Sequence, residues 1–307
     1  MISSAAGQAS PVVVVTGANG LVGARVCAAV AERGGTVRAV VRRAGTAPVL
    51  DGISEHVGDF ADSAFAAAVV DGAAAVVTTV HPMGSDRATQ QHVAVEGTAM
   101  LAGVARAAGV TLFVHVSTCA VYDRSPGTGD ADETSALVDA DGGDYAVTKR
   151  DTDAALAGID GITRVLVRPP AILGAGETSV WNTLRPADIR DDPEQRITNP
   201  ARTFAWVHVD DLATLVADLA TGQVPLAAAG SIGPVAGGCT AVNVAGEPAT
   251  ARDYVGTVAR AWGLEPVWDD SLPAWTGQIL TDRARSWGWS PAVTLDQALA
   301  ELSDGLG

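Results

Sequence analysis

The chain is poor in several groups on which whole protein classes depend. Of its 307 residues only three are cysteine, Cys27, Cys119 and Cys239. They are scattered and odd in number, which argues against a disulfide framework, and no pair has metal-ligand spacing. A reducing cytoplasm fits that usage. No set of His, Cys and carboxylates suggests a metal. Lys and Arg number 20 against 35 Asp and Glu, a formal charge of −15. That argues against a backbone-tracking nucleic-acid binder, which needs cations along one face, but it permits a phosphate-bearing cofactor held by a few local arginines. No apolar run approaches the roughly 20 residues that span a bilayer, so no membrane association is expected. The N-terminal "MISSAAGQASP" has neither a basic n-region nor a long apolar h-region and reads as a short loose tail. What remains is 48% hydrophobic and 18% charged, the balance of a globular chain able to bury one large core or two.

Apolar runs alternate with helical stretches. "VVVV" (12–15) has the continuous apolar character of a strand buried on both faces, and 21–33 reads as a helix stopped by Gly34-Gly35. Further strands are expected at 36–41, within 73–80, at 111–117 and at 163–169. Helices are expected at 63–70, 87–108 and about 145–157. Such alternation predicts an α/β fold with a doubly wound parallel Rossmann sheet, whose right-handed crossovers bring every strand's C-terminal end to one ligand-binding edge. From Gly174 to about residue 203 the pattern loosens. It returns at 205–220 as a strand and a helix, with Asp210 or Asp211 as the expected N-cap. These shifts divide the chain into a dinucleotide-binding region, 11–173 with 203–222 returning to it, and a smaller C-terminal substrate-binding region, 174–202 and 223–307.

The stretch "VVVVTGANGLVG" carries the first chemical signal. A strand, then Gly17, Gly20 and Gly23, then a helix, is a dinucleotide-binding arrangement. One glycine permits the tight turn, one lets backbone approach a pyrophosphate, and one lets helix pack on strand. The amides and dipole of the first helical turn favour the phosphates. An acidic residue at the end of the second strand would bind a ribose 2′-hydroxyl. This chain has "VRAVVRRAG" instead, with Arg38 in the strand and Arg42 and Arg43 just past it. Guanidinium groups there would pair with a 2′-phosphate, so the expected cofactor is NADP(H).

"YAVTK" puts Tyr145 and Lys149 four residues apart, on one face of a helix. A free tyrosine has a pKa of ~10, and a nearby ammonium would stabilise its phenolate. Upstream, Ser117 and Thr118 end a predicted strand on the ligand edge. A hydroxyl, a phenol and an ammonium beside a nicotinamide can move a hydride and a proton.

With these motifs in order, the sequence resembles the extended short-chain dehydrogenase/reductases, the NAD(P)-dependent epimerase/dehydratase family. "TGANGLVG" matches its TGxxGxxG, "VGDFAD" its GDxxD, "VEGTAML" its middle helix, "VSTCAVY" its ST-x-x-VY and "YAVTK" its YxxxK. "VRPPAILGAG", "WVHVDDLA" and "WGWSP" match later landmarks. The resemblance covers nearly the whole chain. It implies Tyr145 as acid/base, Lys149 as its partner and a contact to the nicotinamide ribose, and Thr118 as the hydroxyl on the substrate oxygen, with Ser117 as the fallback. It implies cofactor contacts from Gly17, Asn19, Gly20, Leu21, Val22 and Gly23, from Asp59 and Phe60 near the adenine, and from Pro170 and Ile172 beside the nicotinamide. It also implies a homodimer through the helices at 87–108 and 145–157.

Ala94 replaces a usual asparagine of the middle helix, and Asp123 stands where VYG would have glycine. Relatives that bind nucleotide-diphosphate sugars commonly carry an arginine four before the histidine of "VHVDDLA". That position is Phe204 here, with Arg202 near it. A second arginine is expected before the final helix, but "SLPAWTGQILTD" holds none. Two phosphate charges need cationic or N–H partners, so a sugar nucleotide fits poorly. Trp181, Trp206, Trp268 and Trp275 could instead line an apolar pocket, although core packing suits any one of them better. His81 follows a strand on the ligand edge and could face the nicotinamide or substrate, whereas His56, His92, His115 and His208 suit packing or surface places. The expectation is an NADP-dependent oxidoreductase acting on a small non-nucleotide carbonyl or alcohol. The rival is a nucleotide-sugar epimerase or dehydratase that retains its cofactor. A non-catalytic cofactor sensor would have lost Tyr145 or Lys149, and both are present.

Overall fold

The computed structural model describes residues 10–307, so the expected N-terminal tail lies, over residues 1–9, outside the described residues. The chain runs through β1 (Val12–Thr16), α1 (Leu21–Glu32), β2 (Thr36–Val41), β3 (Ile53–Val57), α2 (Ser63–Val70) and β4 (Ala75–Thr78). A short α3 (Arg87–Gln90), a π-helical turn (Gln91–Glu96) and α4 (Gly97–Ala107) lead to β5 (Leu112–Val116), α5 (Asp144–Ala157) and β6 (Thr163–Arg168). Then come β7 (Ala171–Leu173), α6 (Arg185–Asp191), β8 (Ile197–Thr198), β9 (Trp206–His208) and α7 (Val209–Ala220). Last are β10 (Cys239–Asn243), α8 (Ala251–Ala261), β11 (Val267–Trp268), α9 (Asp282–Ser286) and α10 (Leu295–Leu306). Seven parallel strands form one sheet in the order β10-β6-β5-β4-β1-β2-β3. The fold is the expected Rossmann-like α/β arrangement. Strand order reverses between β1 and β4, where a crevice opens at the carboxyl ends.

The valines of β1 explain its central place. Val13 and Val15 face one side, packed with Val26 and Val30 of α1 and Leu212 and Leu215 of α7. Val14 faces the other, with Ala66 and Val69 of α2 and Leu101 and Ala105 of α4. Each such fully buried valine contributes about 1.5–3 kcal/mol of transfer free energy. β7 and β9 pair beside this sheet, and Trp206 of β9 packs with Phe204, Tyr254 and Leu302 in a separate core.

Three expectations change. β3 was not anticipated, because "ISEHV" is a polar edge strand whose Ser54 and Glu55 are exposed. The helical stretch 87–108 is broken by the π-helical turn that begins just after Gln90. The N-cap of α7 is His208, whose Nδ1 accepts from the Asp210 amide at 3.3 Å, and neither aspartate caps it. Asp211 is buried and accepts instead from the amides of Ala292 (2.9 Å) and Val293 (3.1 Å).

Candidate active site

The crevice at the switch point begins with the glycine turn after β1. Gly17 has φ +70°, a left-handed conformation that side chains rarely adopt, and a Cβ there would meet the Thr79 hydroxyl at 2.7 Å. A Cβ on Gly23 would fall on the Gly17 carbonyl oxygen, so only glycine lets α1 start this close to β1. Gly20 has extended backbone, and a Cβ there would touch nothing closer than 3.4 Å. Its face is therefore open for another reason than packing, as close approach of a pyrophosphate requires. The first-turn amides are not all free: Leu21 N–H donates to Thr178 Oγ1 at 3.2 Å, from the loop after β7.

A cavity of about 1680 Å³ extends from this turn. Its wall includes every site residue expected from sequence: Gly17, Asn19, Gly20, Leu21, Val22, Gly23, Arg42, Arg43, Asp59, Phe60, Thr118, Tyr145, Lys149, Pro170 and Ile172. Arg42 and Arg43 are exposed past the end of β2 and have no acidic partner among the described residues. Arg38 is withdrawn, because its guanidinium donates to the Val69 and Asp71 carbonyls at 2.8 and 2.6 Å. Asp59 holds its own loop by accepting from the Ala61 amide at 2.9 Å. The open turn, the flanking arginines and the volume of the cavity fit a nicotinamide dinucleotide.

At the carboxyl end of β5, Thr118 is buried and faces Tyr145. Burial raises the Tyr145 pKa, and the Thr118 hydroxyl and the Arg124 charge oppose it. Lys149 was expected to supply that opposing charge, but its ammonium is turned elsewhere. Its Nζ donates to the Val116 carbonyl at 2.7 Å, and burial lowers its pKa to about 8 against the supporting charge of Asp153. Asp153 in turn pairs with Arg168 at 3.0 Å, and Arg168 donates to the Tyr122 hydroxyl at 2.9 Å. His81 stands edge-on to Tyr145, ring centroids 4.9 Å apart, with Nε2 2.9 Å from Gln90 Oε1. Thr148 Oγ1 donates to the same oxygen at 3.0 Å. Burial, helped by the Lys149 charge, lowers the His81 pKa to about 4, so its imidazole is neutral near pH 7. His115 is wholly buried at 2.7 Å from Thr78 Oγ1 and takes no part in the cavity.

The far part of the cavity differs most from expectation. Of the four candidate tryptophans only Trp181 lines it. Trp206 is core, Trp268 packs beneath Arg252, and Trp275 backs the cavity from behind Arg124. Phe204 and Tyr254 stack at 4.3 Å beside Trp181. Arg124, Arg185 and Arg202 also reach the wall, so the site is not short of cations as the counted positions implied. Arg124 directly follows Asp123, the departure from VYG, and that substitution was the signal for it. Tyr254 had none, since α8 packs there only through the tertiary fold.

A parallel sheet with its glycine turn at the switch point, and a hydroxyl, a phenol and an ammonium on one cavity wall, define a nicotinamide-dinucleotide protein of the extended short-chain dehydrogenase/reductase class. The chain belongs to the NAD dependent epimerase/dehydratase family, whose sequence profile matches residues 13–224. A 3 beta-hydroxysteroid dehydrogenase/Delta 5-->4-isomerase of Mycobacterium tuberculosis is 30% identical over 184 residues, covering 56% of this chain and 50% of that protein. The sterol demethylase protein B of Methylococcus capsulatus is 32% identical over 167 residues, covering 52% and 51%. The aligned part thus spans about half the length of these relatives. Among solved structures, an Agrobacterium tumefaciens short-chain dehydrogenase/reductase superfamily protein with bound NAD aligns with TM-score 0.74 at 22% identity, covering 96% of each chain. The Bordetella bronchiseptica enzyme WbmG in complex with NAD and UDP gives 0.71 at 18%, covering 96% of this chain and 94% of that one. At these identities the structural likeness concerns the fold.

Proposed function

We propose that the chain is an NADP-dependent oxidoreductase acting on a small non-nucleotide carbonyl or alcohol. The observation that carries this is the meeting of Thr118, Tyr145 and Lys149 on the wall of the cavity that begins at the Gly17–Gly23 turn. The dinucleotide, when bound, supplies or accepts the hydride. Tyr145 exchanges the proton at the substrate oxygen, and its burial keeps the phenol protonated and ready to donate in the reductive direction. Thr118 orients that oxygen, and Lys149 holds the nicotinamide ribose. Fixing both reactants in one geometry lowers much of the barrier, and polar groups at the developing alkoxide lower the rest. Arg42 and Arg43 support NADP over NAD through the 2′-phosphate. The hydroxysteroid dehydrogenase relative, named for an alcohol on a non-nucleotide skeleton, supports the substrate class. We place the enzyme in a reducing cytoplasm, in keeping with its free cysteines, as a homodimer through the 87–108 and 145–157 helices.

A second reading, a nucleotide-sugar epimerase or dehydratase, draws on Arg185 and Arg202 in the cavity wall. Stoichiometry separates the two: the oxidoreductase consumes one NADPH per product, and the epimerase regenerates it. Tyr145→Phe should abolish turnover while leaving NADPH affinity, measured by fluorescence titration, within about twofold. Undiminished turnover would refute the role given to Tyr145.

A further inference from the structure

Arg124 is the least expected group in the cavity. It sits on the wall on the Tyr145 side, with its guanidinium carbon 5.7 Å from the centre of the Trp275 ring. Trp275 is itself fixed, because its Nε1 donates to the Gly129 carbonyl at 2.7 Å. Among the described residues Arg124 makes no hydrogen bond, and no carboxylate lies within 4.0 Å of it. Its Nε is buried without any partner. Burial presses the Arg124 pKa down, and the charge of Arg202 adds to that while Cys119 and Tyr145 oppose it. The residue as a whole is half-buried, and its buried, unpartnered Nε is the unfavourable part. Here it persists in a chain with 35 acidic side chains to choose from. Its five N–H donors form a planar fork suited to a carboxylate.

We propose that Arg124 is the anion clasp of the substrate site: the reacting carbonyl compound carries a carboxylate, held by the Arg124 fork against Trp275 while its carbonyl oxygen meets Thr118 and Tyr145. This deepens the oxidoreductase reading and rests on it for the reaction. The clasp takes no part in bond making. The carbonyl carbon gains the hydride, its oxygen gains the Tyr145 proton, and the carboxylate leaves as it came. Loss of a charge-assisted, bidentate contact of this kind corresponds to about 10- to 100-fold in affinity.

The test pairs ketones that differ only in charge: benzoylformate with methyl benzoylformate, and 3-benzoylpropanoate with its methyl ester. Calorimetric titration of the NADPH-loaded protein with benzoate gives a readout free of turnover. The wild type should prefer an acid over its ester in kcat/KM by about tenfold or more. Arg124→Gln should remove that preference and the benzoate signal, and Arg124→Lys should restore part of both. Arg124→Met should melt at or above the wild-type temperature without anion, since an unpaired buried charge contributes no stability. A fall of several degrees would make Arg124 a structural residue and overturn the clasp. Equal use of acid and ester by wild type and Arg124→Gln overturns the clasp and leaves the oxidoreductase intact. Arg124-dependent benzoate binding with no ketone reduced sustains the clasp and removes the oxidoreductase. UDP binding that is lost in Arg124→Gln while benzoate binding is kept assigns the guanidinium to a pyrophosphate and overturns the proposal.

Discussion

Lys149 is the only lysine of the chain, so its protonation can be followed without interference from others. It is buried, and its pKa is lowered from 10.5 to about 8, by desolvation first, with Asp153 and the Val116 carbonyl holding the ammonium in place. A shift of this size is roughly 300-fold in proton affinity, or about 3 kcal/mol. The unfolded chain keeps this proton up to about pH 10.5, whereas the native chain releases it near 8. Between those values the unfolded state binds more protons, so the contribution of this group to stability rises with pH across that window and is absent below it. Uniform labelling with 13Cε-lysine should give one carbon resonance, and its shift in the cofactor-free protein should titrate near pH 8. Asp153→Asn removes the supporting charge and should move the midpoint lower still. Turnover should fall on the alkaline side as the ammonium is lost. A midpoint at 10 or above, or an upward move in Asp153→Asn, would refute the desolvated ammonium and the balance drawn around it.

Two further outcomes test the cofactor end of the cavity. Gly23→Ala forces a methyl onto the Gly17 carbonyl, and overpacking against backbone costs about 1–3 kcal/mol or more, seen as a melting temperature lowered by several degrees. Gly20→Ala, with room for its methyl, should melt near wild type yet bind NADPH at least about tenfold more weakly in fluorescence titration. Replacing Arg42 and Arg43 together by serine should weaken NADPH by about 10- to 100-fold and leave NADH nearly unchanged. Equal losses for both coenzymes would show that the arginines do not read the 2′-phosphate.

Where one face or one turn of the chain decides an element, the sequence was legible. The continuous valines of 12–15 marked a buried strand, and the spacing of the glycines after it marked the turn and the start of α1. The strand β3 was hidden because its edge position tolerates Ser54, Glu55 and His56, which erases the apolar pattern that marks a strand. The π-helical turn was hidden because its cause is tertiary: it follows Gln90, whose amide group is tied to His81, Thr148 and the Ser85 carbonyl. Trp206 and Trp275 were left between pocket and core, with core the better fit for either, since composition does not tell which side of a wall an indole faces; both are buried. Lys149 was placed by its spacing from Tyr145, but its turn toward Val116 depends on β5 lying beneath α5.

Charge shows most clearly how the site differs from the rest of the molecule. Several arginines here are neutralised where they stand: Arg33 by Asp218 at 2.6 Å, Arg150 by Asp151 at 2.7 Å, Arg168 by Asp153 at 3.0 Å, Arg190 by Asp191 at 2.7 Å. Others, such as Arg38 and Arg164, are spent on backbone carbonyls. Among the described residues the side chains of Arg42, Arg43, Arg124, Arg196, Arg202 and Arg252 have neither an ion pair nor a hydrogen bond, and four of these six, Arg42, Arg43, Arg124 and Arg202, line the same cavity. Acidic side chains outnumber basic ones by 35 to 20, so partners were available and these four were kept from them. Two lie at the end of β2, where a dinucleotide would bring a phosphate, and two lie elsewhere on the wall, in the part that lines the substrate end. A neutral substrate would leave the buried Nε of Arg124 without a partner through the whole reaction, and on that ground the proposed clasp picks out the carboxylate rather than the ring or chain that carries it.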